Sequence, residues 1–363
     1  MGPPLVVGAV LYISGHGFGH ASRAIELIGA LRRRVPGIDV TIRSAVARRF
    51  FAAVEPIAIE PADVDTGLTQ IDSLQIDEAA SARRAAAFYR GFDRRVAEEA
   101  AAIARLRVRV VVADNPPVAL AAASRAGVPS VAVANFTWDW IYQAYDAFPR
   151  LAPGVIDVIR GAYAKATLAL RLPMHGGFDG IREVRDIPFI ARTSTRGREE
   201  TRRLLGLDGP SGGPRPPGGS RPIVLPSFGA YGAAVPWDAL EQSGHLAVVR
   251  SDAAMDRHGL LYQDLVAAAD VVVSKPGYGI VSECIANGAA LLYTSRGRFP
   301  EQDVFVAEMP RILRCRPLTR DDFLAGRWDA DVDALLKQPA PASRPRLDGA
   351  DVAAAAIANF LDR

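Results

Sequence analysis

An apolar run from Leu5 to Ile13 feeds the turn Ser14-Gly15-His16-Gly17-Phe18-Gly19-His20. An amphipathic stretch follows, with Ala24, Ile25, Ile28 and Leu31 on one helical face and Arg23, Glu26, Arg32 and Arg33 elsewhere. A buried strand, a glycine-rich turn and a helix start in that order imply a strand of a parallel sheet that ends at a ligand site. A tight turn needs glycine for its backbone, but it does not need imidazole. His16 and His20 therefore point to proton chemistry at this turn, beside the bland reading in which the glycines only solve a packing problem.

The rhythm then continues. Extended runs are expected at Val6–Ser14, Asp39–Arg43, Ile57–Glu60, Val108–Ala113 and Ser130–Ala134. Helices are expected at Ala21–Arg33, Ala45–Ala53, one long stretch from Glu78 to Leu106, and Val118–Arg125. Such alternation makes a parallel sheet with helices on both faces, whose ligands lie beyond the carboxyl ends of the strands. Asp114 follows one strand and Asn135 another, so both fall on the edge that carries the histidines. Trp138 and Trp140 come next. They read either as an aromatic cluster under a loop or as a wall for a sugar or apolar acceptor. Another helix is expected at Leu151–Ala166, a strand at Thr167–Arg171, a loop at 173–177 with His175 on the surface, and a short extended run at Ile187–Ile190.

Composition enters at the boundary. Residues 208–222 hold five glycines, five prolines and two serines, too little apolar material for a core. A chain of 363 residues with 49% hydrophobic content suits two domains. We expect them at 1–192 and 193–363, with the final helix, about 350–363, free to pack back on the first. The second half restarts the pattern with strands Ile223–Pro226, Leu246–Arg250, Val271–Ser274 and Ala289–Thr294, and helices Leu261–Ala269 and Ile280–Asn287.

Net charge is +3 and the basic groups are scattered arginines without interleaved aromatics, which argues against nucleic acid as a partner. The two cysteines, Cys284 and Cys315, have no metal-ligand spacing, so no metal is expected. Neither a signal peptide nor a run of about 20 apolar residues is visible, so the expected location is cytoplasmic, with peripheral membrane contact left open.

The most specific stretch is Ser274-Lys275-Pro276-Gly277-Tyr278-Gly279-Ile280-Val281-Ser282-Glu283. Gly277 and Gly279 allow close approach at a helix start, where free N–H groups favour a diphosphate. Glu283, one turn on, suits a ribose diol, and Glu301-Gln302-Asp303 return to the same edge with groups able to grip sugar hydroxyls. Taken singly, these acidic residues also read as ordinary helix-surface or capping groups.

On these motifs the chain resembles GT-B glycosyltransferases, near the peptidoglycan N-acetylglucosaminyltransferase group and the N-terminal module of arabinokinase-type proteins. The resemblance spans nearly the whole chain and implies an α/β fold of two Rossmann-like domains facing across a cleft. It implies a nucleotide-sugar donor as co-substrate, with UDP favoured, and inverting, metal-independent transfer to a small-molecule or lipid-linked acceptor. His20 or His16 would be the base. Donor contacts would come from Gly17, Gly19, Ser227, Phe228, Gly229, Ser274, Pro276, Gly277, Tyr278, Gly279, Ser282, Glu283, Glu301, Gln302 and Asp303. Asp114, Asn135 and Trp138 would lie on the acceptor side. The stretch from Gly229 to Leu246 is short for the family, which leaves base recognition open. A nucleotide-sugar 2-epimerase and a non-catalytic nucleotide-sugar sensor are the alternatives.

Overall fold

In the computed structural model, residues 8–16, 18–207, 221–229 and 232–361 are described. The strands are β1 (Gly8–Ile13), β2 (Asp39–Ser44), β3 (Ala58–Pro61), β4 (Gln70–Asp72), β5 (Gln75–Ile76), β6 (Val110–Asp114) and β7 (Ser130–Phe136). They continue with β8 (Leu168–Gly176), β9 (Val184–Asp186), β10 (Ile223–Ser227), β11 (Ala247–Val248), β12 (Val271–Ser274), β13 (Ala290–Tyr293) and β14 (Cys315–Pro317). Among the described residues, seven strands form one sheet in the order β3-β2-β1-β6-β7-β8-β9, and five form another in the order β11-β10-β12-β13-β14. Every pairing within both sheets is parallel.

Strand alternation explains the layering. Ala9, Leu11 and Ile13 of β1 enter one hydrophobic cluster, while Val10 and Tyr12 enter another on the opposite face. Val272 of β12 is likewise separated from Val271 and Val273. Each sheet is thus covered on both faces, as the continuous apolar strand sequences require.

The first helix, Phe18–Arg34, ends on Arg32, Arg33 and Arg34, where positive charge suits the helix dipole. Arg32 also donates to Val54 O at 2.5 Å and Pro56 O at 2.6 Å, so this arginine is not simply solvated. The final helix, Gly349–Ala358, packs against the first helix and buries Ala353, Ala354 and Ile357. A Cβ at Gly349 would lie 2.1 Å from Pro188 O, so only glycine admits that approach.

Several expectations need correction. The single helix over Glu78–Leu106 is two, Glu78–Arg90 and Phe92–Leu106, because Gly91 turns out of helical geometry at φ −100°, ψ 21°. The stretch expected as a helix at Ala45–Ala53 is a 3₁₀ helix over Arg48–Val54. The strand expected to end at Arg171 runs on to Gly176, and the extended run after it lies at Val184–Asp186. The proline- and glycine-rich stretch falls largely outside the described residues.

One element had no sequence signal. The β4–β5 hairpin leaves the first unit and inserts Leu74, 4% exposed, into the cluster of Val224, Phe228, Leu292 and Phe323 in the second. Ser73 donates through Oγ to Phe228 O at 2.6 Å and through N to Gly232 O at 3.2 Å. Leu74→Ala should cost about 2 kcal/mol or more in urea unfolding. It should also expose residues 70–76 to proteolysis; a variant with wild-type stability and protease resistance would remove the hairpin from the account.

Candidate active site

In each sheet the strand order reverses at one point, between β1 and β6 in the first and between β10 and β12 in the second. Open α/β sheets bind ligands outside the carboxyl ends of the strands at that reversal. Ile13 pairs with Asp114, and Ser227 with Ser274, so the four strand ends deliver the histidine turn, Asp114, the Ser227–Gly229 turn and the Ser274–Gly279 turn. The two reversals face each other. A Cβ built on Gly279 would lie 3.1 Å from Gly19 Cα, so the two glycine-rich turns meet backbone to backbone.

Behind Gly19 lies a buried polar network. His20 Nδ1 is 2.9 Å from Asp114 Oδ1. A carboxylate only accepts, so the tautomer that bonds it carries its proton on Nδ1 and leaves Nε2 as the acceptor; Arg23 Nη2 also lies 3.0 Å from Nδ1, so both groups converge on Asp114 Oδ1. Burial alone would raise the Asp114 carboxyl, but the Arg23 charge, the adjacent His20 ring and the hydrogen bonds of both hold it below its ordinary range. Arg23 grips the same carboxylate with both ends of its fork, Nε at 2.6 Å from Oδ2 and Nη2 on Oδ1. Its Nη1 donates to Asn135 Oδ1 at 2.9 Å, Asn135 Nδ2 donates to Glu301 Oε1 at 2.8 Å, and Arg296 Nη2 donates to Glu301 Oε2 at 2.8 Å. A continuous chain of charge-assisted bonds thus runs from the histidine turn to the loop after β13. Asn115, beside Asp114, adopts φ +77°, a left-handed geometry that asparagine tolerates.

His16 is held differently. Its ring lies over Gly67, where a Cβ would come within 2.2 Å, and its Nε2 is 3.5 Å from Asp65 Oδ1. Burial lowers the imidazole's affinity for a proton, with Asp65 opposing it. Trp138 sits edge-on to His16 and donates from Nε1 to Asp65 at 3.1 Å. At 3% exposure Trp138 belongs to the cluster with Phe136, Tyr142 and Phe148 rather than to an open acceptor wall.

The donor-side residues are brought together unevenly. Gly277 and Gly229 have nothing within 4 Å of a Cβ position, so their backbones border open space. Gly17 lies outside the described residues. Ser274 Oγ donates to Ser227 O, Ser227 Oγ bonds the Tyr262 hydroxyl, and Ser282 Oγ donates to Gly279 O at 3.0 Å, so these hydroxyls serve the turns themselves. Pro276 is buried beside them. The Tyr278 hydroxyl accepts from Ile190 N at 2.9 Å, and its ring stacks on Phe189 and lies beneath Arg23, which makes it a joint between the units. Phe228 packs on Phe323. Glu283, 3% exposed, accepts from Arg192 Nε at 2.7 Å. Burial raises its carboxyl above the ordinary range, with Arg192 pulling the other way.

Glu301 and Gln302 were expected to reach sugar hydroxyls. Both Glu301 oxygens are instead engaged within the network. Gln302 accepts from Arg296 N at 2.9 Å and donates to Ser295 Oγ at 3.0 Å, which folds its amide onto its own loop. Asp303 is exposed. Arg23, Arg192, Asp65 and Gln70 were not singled out from sequence, because their partners are distant in the chain; Arg296 was passed over although its partner Glu301 lies only 5 residues on. Among the described residues no group of three or more His, Cys, Asp or Glu converges as a metal would require, and no helix is long and apolar enough to cross a membrane.

Solved structures with this arrangement span nearly the whole chain. The calicheamicin glycosyltransferase CalG4 matches with a TM-score of 0.59 at 15% identity, covering 99% of both chains. The fold is GT-B. A kitacinnamycin glycotransferase matches at 0.57 and 18% identity, covering 98% of this chain and 99% of its own. A Siraitia grosvenorii UGT solved in complex with UDP matches at 0.57 and 15% identity, covering 98% and 100%. At the sequence level, the L-arabinokinase of Arabidopsis thaliana is 27% identical over 368 residues, covering 94% of this chain. This GT-B chain spans only 33% of that protein's length. No family model matches the chain.

Proposed function

We propose that the protein is a glycosyltransferase that moves a sugar from a nucleotide-sugar donor, UDP-linked on family grounds, to an acceptor hydroxyl. The observation that carries this reading is the His20–Asp114 pair at one sheet reversal, facing the Gly277–Gly279 turn at the other. His20 Nε2 takes the proton of the acceptor hydroxyl as its oxygen attacks the anomeric carbon, and the bond to the diphosphate breaks. One displacement from the face opposite the leaving group inverts the anomeric centre. Backbone N–H groups at Gly277–Gly279 and Ser227–Gly229 meet the departing diphosphate, which needs no metal in this scheme. We assign the base to His20 over His16, because Asp114 orients it, whereas His16 Nε2 points toward Asp65. The proposed division at 1–192 and 193–363 is supported by the two separate parallel sheets, β3-β2-β1-β6-β7-β8-β9 and β11-β10-β12-β13-β14.

Glu283 is the proposed ribose contact. Its Oε1 is occupied by Arg192, so a diol meets the other oxygen or displaces the guanidinium. Glu283→Gln should weaken nucleoside diphosphate binding about tenfold, the worth of one hydrogen bond to a charged group, with kcat nearly unchanged. The test is calorimetry with UDP, ADP, GDP and dTDP, followed by nucleotide-sugar turnover with and without acceptors. Release of diphosphate with glycoside formation supports transfer. Conversion of the donor to its epimer would replace transfer by epimerisation, and binding without turnover would replace it by sensing. Absence of any nucleotide binding would falsify the donor reading.

A further inference from the structure

Lys275 follows Ser274 at the carboxyl end of β12 and opens the Gly277 turn, so it stands at the reversal of the second sheet. It is one of three lysines in the chain, and the mechanism above leaves it unused. Its half-buried side chain crosses to the β4–β5 hairpin, where Nζ donates to Gln70 Oε1 at 3.4 Å, a long bond to a neutral acceptor. The charged groups around it come from each neighbouring element: Asp72 on the hairpin, Arg296 on the loop after β13, and Glu301 on helix Pro300–Glu308. Among the described residues no carboxylate lies within 4.0 Å of Nζ. Glu301 is occupied by Asn135 and Arg296, and Asp72 Oδ1 accepts from Leu74 N at 2.6 Å. The Lys275 amine therefore stands at the mouth of the Gly277 turn with no carboxylate in ion-pair contact among the described residues, Glu301 and Asp72 acting on it only from longer range.

We propose that Lys275 binds the diphosphate of the nucleotide-sugar donor, and that binding draws one proton from solvent onto its amine. The inference rests on the donor reading above and adds to it a specific residue and a pH dependence. Burial, assisted by Arg296 and opposed by Glu301 and Asp72, lowers the Lys275 ammonium to about 7. Near neutrality the free protein thus holds a mixed population of amine and ammonium. A bound diphosphate favours the ammonium and raises its pKa. Affinity is then full below the free-state value and declines as pH rises above it, until the bound form also deprotonates. The same charge stabilises the diphosphate as it leaves.

The experiment is calorimetry of the full chain with UDP, ADP, GDP and dTDP at about pH 7 and about pH 8.5, in buffers of different ionisation enthalpy. The phosphate's own ionisation, near about 6, lies below this window. For whichever diphosphate binds, wild-type affinity should fall about tenfold across the window, with net proton uptake. Lys275→Arg should bind without that fall, because guanidinium stays charged throughout. Lys275→Met should bind weakly at both pH values while remaining at least as stable as wild type, since it removes a charge whose burial costs stability. A purely structural role would not move the pH slope. If a diphosphate binds but K275M keeps the wild-type affinity and slope, Lys275 is not its ligand and the donor site stands. If none binds the wild type at either pH, the donor reading itself fails.

Discussion

Replacing His20 by alanine should lower kcat by about a hundred- to ten-thousandfold and leave nucleoside diphosphate affinity within about threefold of wild type. The separation follows from placement. His20 opens the first helix and turns its Nδ1 inward to Asp114, so its remaining nitrogen is the one offered to the cleft. The Gly277–Gly279 and Ser227–Gly229 turns belong to the other sheet's strand ends and keep their backbone groups without it. Single-turnover kinetics with a saturating donor, set beside calorimetry, measures the two quantities independently. His16→Ala is the internal control. It removes a ring packed on Gly67 and Trp138 and should cost less in kcat than the loss of His20. Equal turnover in wild type and H20A would sink the assignment of the base, and a matching loss of diphosphate affinity would recast His20 as a donor contact.

What sequence reveals here is the local part of the site. Both glycine-rich turns are legible because strand, turn and helix follow one another within a few residues, and apolar periodicity is a short-range signal. The same logic places Asp114 and Asn135 on the correct edge. What it does not carry is pairing across the chain. Arg23 lies 91 residues from Asp114, and Arg192 lies 91 residues from Glu283. Nothing in the neighbourhood of either arginine distinguishes it from the many solvated ones. Leu74 has the same character: it sits in a short polar stretch, and only the assembled second sheet makes it a core residue. Glu301 and Gln302 show the same limit from the other side. Their spacing suggests ligand contacts, but it does not show that the fold also engages both Glu301 oxygens and the Gln302 amide with internal partners. Residue type identifies what a group can do, while the tertiary contacts decide whether it is free to do it.

The Arg23–Asp114 pair allows catalysis and stability to be pulled apart. Asp114→Asn removes the counter-charge of an arginine that is 4% exposed and puts amide hydrogens against its donors. A buried ion pair broken on one side costs about 3–5 kcal/mol, a large part of the roughly 5–15 kcal/mol that holds a domain folded. D114N should therefore unfold at markedly lower urea and lose turnover, by instability as well as by loss of the group that orients His20. The double variant R23M/D114N removes both charges, and it should recover part of the stability lost in D114N, because no uncompensated charge then stays buried. Its turnover should stay low, since His20 Nδ1 then faces an amide in place of a carboxylate. pH provides a second check. The carboxyl of Asp114 is depressed in the folded protein by Arg23 and His20 against the effect of burial. Its contribution to stability is thus complete above the unfolded value of about 3.9 and disappears as pH falls through the lower folded value. Wild type should lose stability faster than R23M/D114N as pH drops from about 5 to about 3, with all other carboxyls common to both. Parallel acid profiles would mean that the pair adds no net stability. Recovery of turnover in the double variant would mean that His20 works without an orienting carboxylate.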